Sequence, residues 1–285
     1  MKNNEFYNKI AEDSKQTLIQ LLSEAGHGKT SSLRTIVQYV KDKYPEIEFV
    51  IFDVSQAWYH NAPVTHRQLI TPEKLYATQY DKITDCVYEM GMLNKDERRA
   101  FVGEFVKTYY DERYQAGLDG RLDDYSNLMF VFEEANTYFG SYSLKQNDIY
   151  TPVFVDYVSV GRNYKLRGFL IATVEVGEVS TNIRRRSRKI YGRLESESDL
   201  AQIRRRDKEL GVYLKEIPKY HFVYYSRKAY HSGNIPDAVR HQPVDYVINR
   251  PIRGSEVDLV EGKKTPWWRY AVVAIVFYTL GWLLC

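Results

Sequence analysis

Residues 23–31 read Ser-Glu-Ala-Gly-His-Gly-Lys-Thr-Ser and follow the apolar run Leu18-Ile19-Gln20-Leu21-Leu22. A strand feeding a Gly-His-Gly-Lys-Thr turn and then a helix can cradle phosphates on its backbone N–H groups. In such a loop Gly26, His27, Gly28, Lys29, Thr30 and Ser31 surround the anion. Lys29 reaches the outer phosphates and Thr30 holds Mg²⁺. Ser23 stands where the usual pattern has its first glycine; it is small enough to make the turn, at some cost in backbone freedom. The competing reading is a surface turn with a lysine.

Three further groups carry chemistry. Leu128-Met-Phe-Val-Phe132 is a strand as apolar as any, and it ends in Glu133-Glu134-Ala135-Asn136. Ligands of a parallel sheet sit at the C-terminal edge of its strands. Glu133 is assigned there to the metal and Glu134 to polarising an attacking water; solvated loop acids are the bland alternative. Next, Arg162 in Gly161-Arg162-Asn163 and Arg167 lie just before another apolar run, Gly168 to Thr173. In an oligomer such an arginine can stabilise the phosphoryl group on a neighbour's nucleotide. Arg162 is the first choice and Arg167 the second, against a surface salt bridge for either. Finally, Arg184 to Lys208 holds ten Lys/Arg against four Asp/Glu. Arg184, Arg185, Arg186 and Arg188 are the densest block and mark a phosphate-attracting patch. No aromatic pattern accompanies it, so nucleic-acid contact there is expected to be sequence-independent; a solvated face or a subunit contact is the alternative.

These groups need elements to position them. The spacing predicts a polar helix over 1–16, a strand at 18–22, a helix over 29–43 ended by Tyr44-Pro45, and a buried strand at 48–53. Strand–loop–helix–strand is the unit a phosphate loop requires. Residues 57–71 read as loop, 72–114 as two or three charged helices broken at Gly91, and 115–126 as a polar loop. Strands follow at 128–132, 168–173, 189–194 and 220–225, with helices at 150–164 and 200–210. Alternating strands and helices predict an α/β fold with a mostly parallel sheet covered on both faces.

The chain has 285 residues, 44% hydrophobic and 27% charged, the composition of an ordinary globular protein. Its net charge of +3 argues for no partner. Two cysteines, Cys86 and Cys285, supply neither a metal spacing nor a disulfide framework. The first residues are polar and lack the apolar core of a signal peptide. The C-terminus is different. Tyr270 to Cys285 carries no charge, and with Trp267 and Trp268 the segment reaches about 19 residues, near the roughly 20 that span a bilayer; a buried C-terminal helix in a soluble core is the alternative. Lys263, Lys264 and Arg269 flank it and predict a cytoplasmic N-terminal side. The expected organisation is a P-loop domain over 1–225, an extended linker over 226–265 and a transmembrane anchor over 266–285.

The order of motifs, Ser-Glu-Ala-Gly-His-Gly-Lys-Thr, then Phe-Val-Phe-Glu-Glu-Ala, then Gly-Arg-Asn…Phe-Leu-Ile-Ala-Thr…Val-Ser-Thr-Asn-Ile-Arg…Arg-Leu-Glu-Ser-Glu-Ser-Asp, resembles the FtsK–HerA superfamily of DNA-pumping ATPases. The viral genome-packaging ATPases belong to it. The resemblance covers roughly residues 15–205, and 169–199 is its most telling stretch. It implies a RecA-like core in a homo-hexameric ring that hydrolyses ATP with Mg²⁺ between subunits and moves double-stranded DNA. By position, Lys29 and Thr30 match the Walker A lysine and threonine, Glu133 and Glu134 the Walker B pair, and Arg162 the arginine supplied to the neighbour. Where the family has Gln after Ala-Thr as a γ-phosphate sensor, this chain has Val174 and Glu175, so no sensor is assigned. The tail adds a lipid membrane as partner and suits packaging into a virus with an internal membrane, with capsid or portal-vertex proteins as further partners. A zonula-occludens-toxin-like phage assembly ATPase, a nucleotide-gated membrane scaffold with little turnover, and a cellular or plasmid DNA-transfer motor are the rival readings.

Overall fold

Three layers build the molecule in the computed structural model, which describes residues 2–234 apart from 59–61, 77–82, 141–148, 173–178 and 227–228. Helix α1 (Lys2–Ser14) leads into β1 (Ile19–Leu22), α2 (Lys29–Lys43) and β2 (Glu48–Asp53), the opening unit expected from the sequence. Then come β3 (His66–Leu69), α3 (Pro72–Tyr76), β4 (Cys86–Glu89) and the long α4 (Lys95–Leu118). Strand β5 (Leu128–Phe132) is followed by α5 (Asn136–Phe139), α6 (Tyr150–Val160) and a 3-10 turn, Gly161–Tyr164. Strand β6 (Leu166–Ala172), α7 (Thr181–Arg186) and β7 (Arg188–Tyr191) precede α8 (Glu197–Arg204) and α9 (Lys208–Glu216). Strands β8 (His221–Ser226) and β9 (Ala229–Asn234) close the described chain.

The sheet order is β3-β4-β2-β5-β6-β1-β7-β8-β9. Every pair from β3 to β7 is parallel, and β8 and β9 add antiparallel strands at one edge. Apolar side chains leave both faces, as a parallel sheet covered by helices demands. Ile19 and Leu21 of β1 join Leu33, Ile36, Val37 and Val40 of α2 and Phe6 and Ile10 of α1 on one face. Leu22 joins Phe52, Phe130 and Phe132 with Phe101 and Phe105 of α4 and Tyr157 of α6 on the other. Phe52 and Phe130 stack with centroids 6.0 Å apart, welding β2 to β5 beneath the candidate site. The sheet also sets one strand, β6, between the phosphate-loop strand β1 and the acidic strand β5.

Four expectations change. The region 72–114, read as helical, contains the buried strand β4, and the loop read over 57–71 contains β3. Each is only four residues long, too short to display a period, and β4 is buried throughout, so it shows no alternation. The domain boundary drawn at 225 falls inside the sheet: Ser226 pairs with Ala229 and His221 with Asn234. The helix read over 200–210 is two helices, α8 and α9, broken at Arg205-Arg206-Asp207 where Asp207 caps α9 through Leu210 N–H at 2.9 Å. Among the described residues no helix is long and apolar enough to cross a membrane; the segment 266–285 lies outside them, as do Val174 and Glu175.

Candidate functional site

The phosphate loop connects β1 to α2 as expected. Gly28 caps α2 with φ 85° and Gly26 has φ 73°, both in the left-handed region that favours glycine. The caps leave the first N–H groups of α2 facing the loop, with the positive end of the helix dipole behind them. Lys29 folds back so that Nζ donates to the Ser23 carbonyl at 2.7 Å. Burial lowers the Lys29 pKa, opposed by Glu24, so the ammonium sits where its charge is poorly solvated. Ser23 is fully buried and needs no positive φ, which explains why a residue other than glycine is accepted here. Its hydroxyl donates to the Arg193 carbonyl at 3.4 Å, and Glu24 N–H donates to the same carbonyl at 2.9 Å. Gly192, after β7, makes this seam possible: a Cβ there would meet Ser23 Oγ at 2.4 Å. His27 is half-buried, and burial, then Arg193, lowers its pKa. Ser31 lies in the first turn of α2, where its carbonyl accepts from Thr35 Oγ1 at 3.0 Å.

The acidic pair divides into one buried and one exposed carboxylate. Glu133 is 4% exposed. Its Oε1 accepts from Trp58 Nε1 at 2.9 Å and Thr30 Oγ1 at 3.4 Å. Its Oε2 accepts from Ser55 Oγ at 2.8 Å and Val54 N–H at 3.2 Å. Burial first, then the neighbouring Asp53, raises its pKa well above the usual carboxylate range. Glu134 is exposed and has φ 48°, a strained backbone for a residue with a Cβ. Its Oε2 lies 3.6 Å from Arg98 Nη1 of α4. The two residues assigned to the metal, Thr30 and Glu133, are thus brought together, with Glu134 at the rim.

Several participants were not singled out from the sequence. Asp53 ends β2 and is fully buried; its Oδ1 accepts from Ser55 N–H at 3.0 Å and Oδ2 from Trp58 N–H at 2.9 Å. The signal was present, because Asp53 terminates an apolar strand as Glu133 does. Trp58, fully buried, reaches Glu133 only because the loop after β2 turns back over the strand ends. Arg34, in the second turn of α2, is 4% exposed and donates to the Ala57 carbonyl at 3.2 Å. Burial lowers its pKa, while Asp53 and Glu133 act in the opposite sense.

Hydroxyl and carboxylate oxygens among clustered buried acids are the donors a hard divalent cation takes. Among the described residues no group of three or more His, Cys, Asp or Glu could hold a metal by itself. Mg²⁺ needs no such group, since it is held through one or two side chains plus phosphates and water. Thr30 and Glu133 fit it.

The arginines separate. Arg167 is buried and spent inside the fold, donating to the carbonyls of Leu166 at 2.7 Å, Lys15 at 2.9 Å and Gly161 at 3.3 Å. It is not free to serve a neighbour. Arg162 is exposed and lines a cavity at the N-terminal edge of the sheet, next to Thr17 and Ser187. The phosphate loop is at the other end of β1, four residues away, or roughly 13 Å at strand rise. Arg185 and Arg186 line the same cavity. Arg188 does not fit its assigned role of contacting DNA, because its guanidinium pairs with the buried Asp13. Arg184 lies on α7, and its side chain is outside the described residues.

No family model and no curated protein matches the chain. Solved structures do. The genome-packaging NTPase B204 of Sulfolobus turreted icosahedral virus 2, in complex with ATPγS, aligns at TM-score 0.56 with 16% identity over 78% of this chain and 99% of that one. B204, the DNA-packaging ATPase of Sulfolobus turreted icosahedral virus, aligns at 0.55 with 13% identity over 78% and 99%. The conjugation coupling protein TcpA of pCW3, in monomer form with ATPγS, aligns at 0.50 with 12% identity over 79% of this chain and 62% of that one. At 12–16% identity these likenesses show the fold alone, and the fold of this chain is that of these packaging and conjugation proteins.

Proposed function

We propose that the chain is a ring-forming, RecA-like ATPase that moves double-stranded DNA, in the service of viral genome packaging, and that residues 266–285 anchor it to a membrane with the P-loop domain on the cytoplasmic side. One observation carries the hydrolytic reading. Lys29 at the N-terminus of α2, the Thr30–Glu133 contact and the exposed Glu134 converge at the C-terminal edge of one sheet. The likeness to packaging ATPases supports the choice of DNA.

In this reading the N–H groups of the loop and Lys29 bind the triphosphate. Mg²⁺, held by Thr30 and Glu133 with the phosphates, would neutralise charge on the transferring group. Glu134 orients and deprotonates the attacking water. Arg162 is too far from its own loop and serves the nucleotide of an adjacent subunit, in a head-to-tail contact that closes a ring. ATP hydrolysis by the full-length protein, with and without duplex DNA, is the test. Hydrolysis that rises with DNA is expected. A folded protein that hydrolyses nothing overturns the enzyme, and a rate indifferent to DNA overturns the motor.

Trp58 gives a further prediction. Its N–H aims one oxygen of Glu133, and loss of such an outer contact to a metal-binding carboxylate costs about 10–100-fold in metal affinity. Trp58→Phe is expected to raise the Mg²⁺ needed for half-maximal hydrolysis about tenfold, with the rate at saturating Mg²⁺ changed far less. A shift in the saturated rate alone would assign Trp58 to packing.

A further inference from the structure

The cavity at the N-terminal edge of the sheet measures about 600 Å³ and is built from five separate segments: the end of the α1–β1 link, the 3-10 turn before β6, the α7–β7 corner, the α8–α9 break and the end of β8. Six cationic residues line it. Two are consumed by the fold: Arg188 by Asp13, and Lys189, buried, by Gln20 Oε1 at 2.8 Å. Arg162, Arg185, Arg186 and Arg206 are exposed and make no ion pair or side-chain hydrogen bond among the described residues. Asp207 is the acid in the lining, and its Oδ1 is occupied by the N-terminus of α9. Tyr191, Ile203, Leu210 and Tyr225 form an apolar wall behind the guanidinium groups.

Four uncompensated guanidinium groups around one concavity repel each other and raise the local potential. Guanidinium forks match phosphate oxygens bidentately. A concave, partly aromatic wall with a few convergent cations is the form of a small-ligand pocket. A duplex is too wide to enter a cavity of this size.

We propose that this cavity binds the phosphates of a nucleoside polyphosphate, through Arg162, Arg185, Arg186 and Arg206. Arg185 and Arg186 then leave the DNA-contacting set. The nucleotide is either free or seated on the phosphate loop of a second copy of the chain. Only the second source rests on the ring reading; the binding itself does not.

The binding experiment uses full-length Lys29→Ala protein, whose own phosphate loop is disabled, and inorganic tripolyphosphate as probe, measured by calorimetry. Lys29→Ala is expected to retain binding. Adding Arg206→Ala is expected to weaken it at least fivefold, and Arg206→Lys to restore part of it. Arg206 is exposed, so neither variant threatens the fold. Absence of tripolyphosphate binding by Lys29→Ala, or binding indifferent to Arg206, overturns the proposal. So does an Arg206 effect confined to duplex DNA binding. A second arm separates the sources by mixing Lys29→Ala subunits with Arg206→Ala subunits and measuring DNA-free ATP hydrolysis. Partial recovery above the sum of the separate proteins assigns the nucleotide to a second copy, and no recovery with Arg206-dependent binding assigns a free one. Because the calorimetry needs no turnover, it stands even if the chain hydrolyses nothing.

Discussion

Lys29→Ala is expected to reduce ATP hydrolysis about 10³-fold, which is ~4 kcal/mol of lost transition-state stabilisation, the upper end for removing one preorganised donor. The ammonium has three protons. One is held by the Ser23 carbonyl at 2.7 Å, which fixes the direction of the side chain and leaves two for phosphate oxygens. Burial lowers the pKa of Lys29, so the charged form is less favourable in the folded chain than in the unfolded one. An arriving polyanion relieves that cost, and the alanine variant removes it outright. The variant therefore loses about one hydrogen bond's worth, ~1 kcal/mol, against a gain of opposite sign. Its melting temperature without nucleotide is expected to stay within about 3 °C of the parent's, while the Mg²⁺-dependent part of the rise in melting temperature produced by ATP is lost. A rate above one tenth of the parent's would remove Lys29 from the site.

The site's electrostatics follow from where the strands stop. Strands β4, β2 and β5 are neighbours, and each ends in a buried acid: Glu89, Asp53 and Glu133, each no more than 4% exposed. Glu89 is raised in pKa by burial and, more weakly, by Asp53. Such a row is unfavourable without positive charge nearby. Arg34 supplies some of it from beneath α2, and the loop after β2 contributes N–H and O–H donors from Val54, Ser55 and Trp58. Thr30, at the end of the phosphate loop, completes the surroundings of Glu133 through its hydroxyl. The fold thus holds an acid-rich edge that remains short of cation, which is the condition for taking up a divalent ion with an anionic substrate.

Much of this was legible in the residues. The phosphate loop, the acidic end of β5 and the strands β6 and β7 announce themselves by local pattern, because each is a short run whose neighbours in sequence define it. Glu133 and Thr30 could be assigned to one cation because both motifs belong at one sheet edge. Strand β4 could not be read, since four buried residues between charged segments carry no period; the Asn94–Glu97 capping box that starts α4 was the available signal that a new helix begins there. Contacts between distant segments stayed invisible. Arg188 looks like part of a basic block, yet it is neutralised by Asp13 from the first helix. Arg162 looks unrelated in sequence to Arg185 and Arg206, and the three share a cavity. Between Arg162 and Arg167 only the burial of the second decides.

Glu134 separates stability from chemistry most sharply. Its backbone is left-handed, φ 48°, where a side chain costs on the order of 1–2 kcal/mol. The turn that holds it there is tied by Thr137 N–H to the Glu134 carbonyl at 2.8 Å, and the exposed pair with Arg98 at 3.6 Å contributes at most about 1 kcal/mol. Strain at this position aims the carboxylate out of the sheet edge, while Glu133 points in. Glu134→Gln keeps the shape and loses the base, so nucleotide binding is expected to persist while turnover falls about 10²–10⁴-fold. Glu134→Gly loses turnover to the same extent, but its melting temperature is expected to stay level or rise, because glycine adopts this φ freely. Glu134→Val, whose branched Cβ fits this φ worst, is expected to lose ~1–3 kcal/mol of stability in denaturant unfolding. Normal turnover by Glu134→Gln would move the water-activating role elsewhere. Equal stability of the glycine and valine variants would show that the turn relaxes in solution and that the strain does not hold the carboxylate in place.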